Sequence, residues 1–168
     1  MGGVRKIVVE GKGRERGRAH GEALRGLIHE HYGRWLEKIG ADLGVDPKMY
    51  IGRFLAETRF TPAIERWTPD LLEEVHGIAE GANAPFEIVF ARQLSDEEPW
   101  FRREWKLSPP SHGGCSSIGA WSGEGGATIV AQNMDMPHWC DGLQILLHAK
   151  PEAGPEVFEF TLAGKINL

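Results

Sequence analysis

Over its first hundred residues the chain repeats its apolar positions with a helical period. Ala19, Ala23, Leu24, Leu27, Ile28, Trp35, Leu36 and Ile39 recur at three- and four-residue steps. That spacing predicts one apolar face on a helix from about residue 15 to 40. Gly17, Gly21, Gly26 and Gly33 interrupt it, each at a cost of up to about 1 kcal/mol relative to Ala. Close backbone packing is their expected use. Asp46-Pro47 predicts a second helix start, with Asp as cap and Pro at the first helical position. Thr68-Pro69-Asp70 starts a third in the same way, with Leu71, Leu72, Val75, Ile78, Ala79 and Ala82 as its stripe. Pro85 opens a short fourth helix through Leu94.

Near residue 97 the pattern changes. Segment 96–114, with Asp-Glu-Glu-Pro and then Ser108-Pro-Pro-Ser-His-Gly-Gly, reads as an exposed, irregular connection. Strand signals follow. Residues 116–121 and 127–132 flank the turn Ser122-Gly-Glu-Gly-Gly126, and 143–149 and 157–162 flank Pro151-Glu-Ala-Gly-Pro155. These predict at least four antiparallel strands, with one more short strand at 5–9. Helices first and strands later predict an α+β fold. The expected division is a mainly helical segment 1–114 followed by the strands of 115–168. The last residues, Gly164-Lys-Ile-Asn-Leu168, carry no closing element, so the strands read as the start of a larger layered sheet structure, apparently truncated.

Composition narrows the function classes. The chain has 168 residues, 41% apolar and 26% charged, as in ordinary soluble globular proteins. With 24 acidic and 19 basic residues its net charge is −5, which gives no drive toward nucleic acid or anionic membrane. No run approaches a membrane span of about 20 apolar residues. The N-terminus lacks a signal-peptide core, so a cytoplasmic location is expected. Cys115 and Cys140 are too few for a disulfide framework.

The candidate chemistry centres on Cys115, in the run Gly113-Gly114-Cys115-Ser116-Ser117. Two glycines allow close approach to the side chain that follows them, and thiolates are strong nucleophiles. A free cysteine at a strand start also serves as a small buried hydrophobe. Gln132-Asn133-Met134-Asp135 ends the strand expected to pair with the one after Cys115. A hairpin therefore brings Cys115, Asn133 and Asp135 to one edge. There a carboxylate and an amide can orient a thiol or an amine, although Asn and Asp at strand ends also form turns.

Taken together, Gly-Cys-Ser-Ser-Ile, a hairpin and Gln-Asn-Met-Asp resemble the acyl-coenzyme A:6-aminopenicillanic acid acyltransferase family of N-terminal-nucleophile hydrolases. Glu15-Arg-Gly17-Arg-Ala-His-Gly21 is similar to that family's helix opening. Glu74-Val-His-Gly-Ile-Ala-Glu-Gly-Ala82 is similar to its Gly-Ile-Ala-x-Gly-Ala segment, and Leu162-Ala-Gly-Lys-Ile to the stretch after the second hairpin. Gln132 stands where several relatives carry Arg, which favours the acyltransferase side over the bile-salt and penicillin V hydrolases.

The resemblance implies an αββα sandwich and an inactive precursor that cuts itself between Gly114 and Cys115. It implies two subunits from one precursor, with segment 1–114 released or retained as the small one. The freed α-amine, with a pKa of about 7.7–8, would then serve as general base for the Cys115 thiol. Asp135 would hold the amine or thiol, with Asn133 beside it. The implied activity is hydrolysis or acyl transfer on small-molecule amides, short peptides or acyl thioesters, without cofactor or metal. The family's oxyanion-hole Asn would lie beyond Leu168, so the chain is expected to be inactive alone.

Other features carry less. Gly11-Lys-Gly13-Arg-Glu-Arg-Gly17 departs from the dinucleotide-binding spacing. His29 and His31 sit two apart and cannot share a helix face for zinc. With His20 they read as surface or packing residues. His112 is a loop histidine that could activate the thiol during self-cleavage. His138 and Trp139 are weak candidates for a substrate pocket. A second reading is a binding or regulatory module with an inert Cys115, in which the helical half makes a protein interface and Trp35, Trp67, Trp100, Trp105, Trp121 and Trp139 supply aromatic surface.

Overall fold

A first strand, β1 (Arg5–Gly11), leads into the 31-residue helix α1 (Gly13–Leu43). Four of the helices after it are α2 (Pro47–Thr58), α3 (Phe60–Trp67), α4 (Pro69–Ala82) and α5 (Phe86–Gln93). A sixth helix, α6 (Glu98–Glu104), precedes β2 (Ser116–Trp121), β3 (Thr128–Asn133), β4 (Gln144–Pro151) and β5 (Val157–Leu162). This computed structural model describes residues 4–104 and 114–166. Trp105, His112 and Gly113 lie outside the described residues, as does the Ser108-Pro-Pro-Ser run. The fold is α+β, with the helices first.

The expected helix starts are where the caps put them. Asp46 accepts a hydrogen bond from the Met49 N–H at 2.8 Å, and Pro47 opens α2. In α4, Leu72, Val75, Ile78, Ala79 and Ala82 are buried as the stripe predicts. Helix α6 corrects the expectation of an irregular connection from residue 96. Its face packs Phe101 against Tyr50 and Phe54. Glu98 accepts from Arg102 and from the Tyr50 hydroxyl. Two buried anchors, Glu98 and Phe101, three positions and about one turn apart, hold a segment whose composition alone reads as loop.

The α1–α4 contact explains the glycines. The helices run parallel with their backbones nearly touching. A methyl on Gly17 would stand 1.9 Å from the Glu74 carbonyl oxygen, and one on Gly21 would stand 2.5 Å from that of Ile78. Methyls on Gly77 and Gly81 would each come within 2.2 Å of an α1 carbonyl oxygen. Close packing is thus the use of Gly17 and Gly21. Gly26 and Gly33 meet nothing within 4 Å and do not share it. Across the same contact Arg16 and Glu74 form a buried ion pair at 2.5 Å.

Two sheets are present among the described residues. In one, the order is β1-β4-β5, with β1 parallel to β4 and β4 antiparallel to β5. The other is the antiparallel hairpin β2-β3. Ile145, Leu147 and Ala149 of β4 face a core shared with Val9 of β1, Ile28 and Ile39 of α1, and Phe90 of α5. Segments 1–114 and 115–168 therefore contribute to one hydrophobic core. The sheet's other face leaves Val8, Phe158 and Phe160 exposed, and both strands of the hairpin are exposed along their length. Among the described residues no helix is long and apolar enough to cross a membrane.

Candidate functional site

The hairpin fixes the geometry around Cys115. Its register pairs Ser116 with Asn133 and Trp121 with Thr128, closed by the Gly-rich turn. Cys115 immediately precedes the first pair and Asp135 follows it by two residues, so all three expected residues share one hairpin end. Asn133 Nδ2 donates to Asp135 Oδ1 at 3.2 Å. Cys115 is a free, exposed thiol. Among the described residues no hydrogen bond joins it to Asn133 or Asp135. The arrangement is a nucleophile candidate beside a preoriented amide–carboxylate pair, open to solvent.

His138 and Trp139 are brought to different places. His138 stands in solvent with Nδ1 3.7 Å from Asp141 Oδ2. Trp139 turns inward, 5.9 Å from the His31 ring. They do not line one pocket. Two clefts lie elsewhere. One, of about 500 Å³, sits at the α4–α5 corner beside His76 and Phe86. The other, of about 210 Å³, is lined by Ile64, Leu72, Phe90 and Gln93.

A second constellation was not legible as a unit in the sequence. The segment after β5, Ala163 to Ile166, is gripped by buried side chains of α1 and α5. His31 Nδ1 lies 2.7 Å from the Ala163 carbonyl oxygen, and Arg92 Nε donates to His31 Nε2 at 3.0 Å. Arg92 can only donate, so Nε2 accepts, Nδ1 carries the proton and the ring is neutral. Burial, reinforced by Arg92, pushes the His31 pKa down to about 3. His20 Nε2 accepts from the Gly164 N–H at 3.0 Å, and burial lowers its pKa to about 4. Tyr32 and Gln93 both donate to the Gly164 carbonyl, and Gln93 accepts from the Ile166 N–H. His20 and His31 are thus buried packing residues, not surface ones. Their only sequence signal is position, on the face that also carries Leu24, Ile28 and Trp35.

The Arg92 guanidinium carbon lies 5.4 Å from the Trp35 ring centroid and 5.5 Å from that of Trp139. Lys165 Nζ donates to Ser95 Oγ at 2.6 Å. Burial, and then Arg92, lower the Lys165 pKa to about 8. Cys140 is buried beside this pair, and burial raises its thiol pKa. Among the described residues no cluster of His, Cys, Asp and Glu could hold a metal ion.

No protein-family model matches this chain, and no curated protein matches it.

Proposed function

We propose that the chain belongs to a cytoplasmic, self-cleaving cysteine enzyme of the N-terminal-nucleophile type. Such an enzyme hydrolyses small amides or transfers their acyl groups. The supporting observation is the hairpin end that sets Cys115 beside the Asn133–Asp135 pair, together with the ordered motifs that resemble the acyltransferase family. In maturation the Cys115 thiol attacks the Gly114 carbonyl carbon. The Gly114–Cys115 amide bond breaks as the thioester forms, and the released nitrogen takes up a proton. Water then cleaves the thioester, leaving a Gly114 carboxylate and Cys115 with a free α-amine and thiol. In turnover that amine takes the thiol proton, and the thiolate attacks the carbonyl carbon of an amide or thioester substrate; the substrate's C–N or C–S bond breaks as the acyl-enzyme forms, and the departing amine or thiol takes the proton from the α-amine. Water or an amine then accepts the acyl group. Asp135 positions the amine, and the hydrogen bond from Asn133 fixes the carboxylate.

Hydroxylamine tests the maturation step. It intercepts a thioester but leaves an ordinary peptide bond intact under mild conditions. The expected result is faster cleavage, with a hydroxamate on Gly114. Cleavage that hydroxylamine neither accelerates nor marks would count against the mechanism. One observation favours the binding-module reading. Ile118 and Ile129 on one face of the hairpin, and Trp121 and Val130 on the other, are exposed apolar side chains, which suits a protein interface that leaves Cys115 inert. An uncut, thioester-free chain would be its signature.

A further inference from the structure

We propose that α1 and α5 form a recognition clamp for the turn after β5, and that this clamp selects segment 115–168 as the partner of segment 1–114 once the chain is cut. The proposal rests on the cleavage reading, because only a cut between Gly114 and Cys115 makes the two segments separate molecules. The turn is closed by the Lys165 N–H, which donates to the Leu162 carbonyl at 2.9 Å. Gly164 sits at its third position with φ +82°, the conformation that a type II turn reserves for glycine. The side chains that grip this turn precede Gly114, and the atoms they grip follow Cys115. His31 donates to the Ala163 carbonyl at 2.7 Å, the Gly164 N–H donates to His20 at 3.0 Å, and Tyr32 donates to the Gly164 carbonyl at 2.9 Å. Gln93 uses both ends of its amide, donating to that carbonyl at 2.8 Å and accepting from the Ile166 N–H at 2.9 Å.

The β1–β4 ladder and the shared apolar core also cross the cut. Apolar burial is non-directional, however, and discriminates weakly between partners. The Lys150–Glu10 ion pair crosses it too, but it is exposed and contributes little. The clamp is the selective part. His20, His31 and Tyr32 are buried, so a segment that does not present the matching main-chain atoms leaves their polar groups unpaired, and that is costly. Because the clamp reads main-chain atoms, it selects the shape of the turn. A methyl on Gly164 would stand 2.4 Å from the Tyr32 hydroxyl oxygen. The partner that fits is a strand ending in a tight turn with glycine in the left-handed conformation.

The test is exchange of partners between cut molecules. A specific protease sequence is inserted within 105–113 of the full-length protein, and Cys115→Ala removes self-cleavage, so a failure here is separate from a failure of Cys115 as nucleophile. The protein is cut, isotope-labelled and unlabelled pairs are mixed, and native mass spectrometry reads the rate at which hybrid pairs appear. Gln93→Leu removes the bonds to Gly164 and Ile166 and should speed exchange at least about tenfold. Lys150→Met removes the exposed ion pair across the same boundary and should change the rate by less than about threefold. In the cut protein without further substitution, the Gly164 and Ile166 amide protons should exchange with solvent no faster than the pairs dissociate. Equal partner-exchange rates in the two variants, or Gly164 and Ile166 amides that exchange faster than the pairs dissociate, would each overturn the proposal. The amide measurement needs no clamp variant, so it stands even where Gln93→Leu disturbs folding.

Discussion

Acidification should unfold this protein through two histidines in α1. His20 and His31 are held neutral, with pKa values of about 4 and about 3 against an ordinary 6.5. In the unfolded chain both titrate near 6.5. Their stabilising contribution is therefore complete above that pH. It is lost as pH falls from 6.5 toward the folded values, because the unfolded state binds protons that the folded state refuses. At pH 5 each histidine costs roughly 2 kcal/mol, and the pair about 4 kcal/mol. That is a large share of the 5–15 kcal/mol typical of a domain. Glu74 works the other way, since burial raises its pKa and acid favours its buried neutral form. The assay is urea unfolding at pH 7.5 and pH 5.0, followed by far-ultraviolet circular dichroism. The wild type should lose several kcal/mol between the two. His31→Gln should be weaker at pH 7.5 but should show about half the pH dependence. Equal stability at both pH values, or an unchanged pH slope in the glutamine variant, would refute the argument.

Three further outcomes are expected. Gly17→Ala forces a methyl against the Glu74 backbone and should lower stability by roughly 1–3 kcal/mol. Gly33→Ala meets nothing and should raise it by about 0.5–1 kcal/mol, so thermal melts of the two variants should move in opposite directions. Glu74→Ala leaves Arg16 buried without any acceptor at that position and should cost roughly 3–5 kcal/mol in the same melts. Asp135→Asn should slow cleavage before Cys115 without changing the circular dichroism spectrum, since Asp135 is exposed. Unchanged cleavage kinetics would make Asp135 a turn residue.

Local chemistry made much of this fold legible in the sequence. The Asp46-Pro47 start of α2, the α4 stripe and both antiparallel strand pairs rest on signals confined to a few neighbouring residues. Helix α3 had no cap signal, because Arg59 enters it from a left-handed conformation. Helix α6 depends on Tyr50 and Phe54, some fifty positions earlier. The pairing of β1 with β4 joins residues that no local pattern connects. At the candidate site, the hairpin end was readable because a tight turn dictates its own register. The Arg92–His31–Lys165 cluster was not readable, because it is assembled from α1, α5 and the segment after β5. The glycine motifs of α1 and α4 have a complete explanation in helix packing, so they bear on the fold. The chemical reading rests on Cys115, Asn133 and Asp135.

The most direct test of that reading is the intact mass of the purified full-length protein after prolonged incubation, measured for the wild type and for Cys115→Ala. The account predicts two wild-type species, one ending at Gly114 and one beginning at Cys115. They should elute together under native conditions, because both halves bury residues in one core. The alanine variant should give a single uncut chain. A wild type that stays whole, or an alanine variant cut at the same bond, would contradict the assignment of Cys115 as the nucleophile.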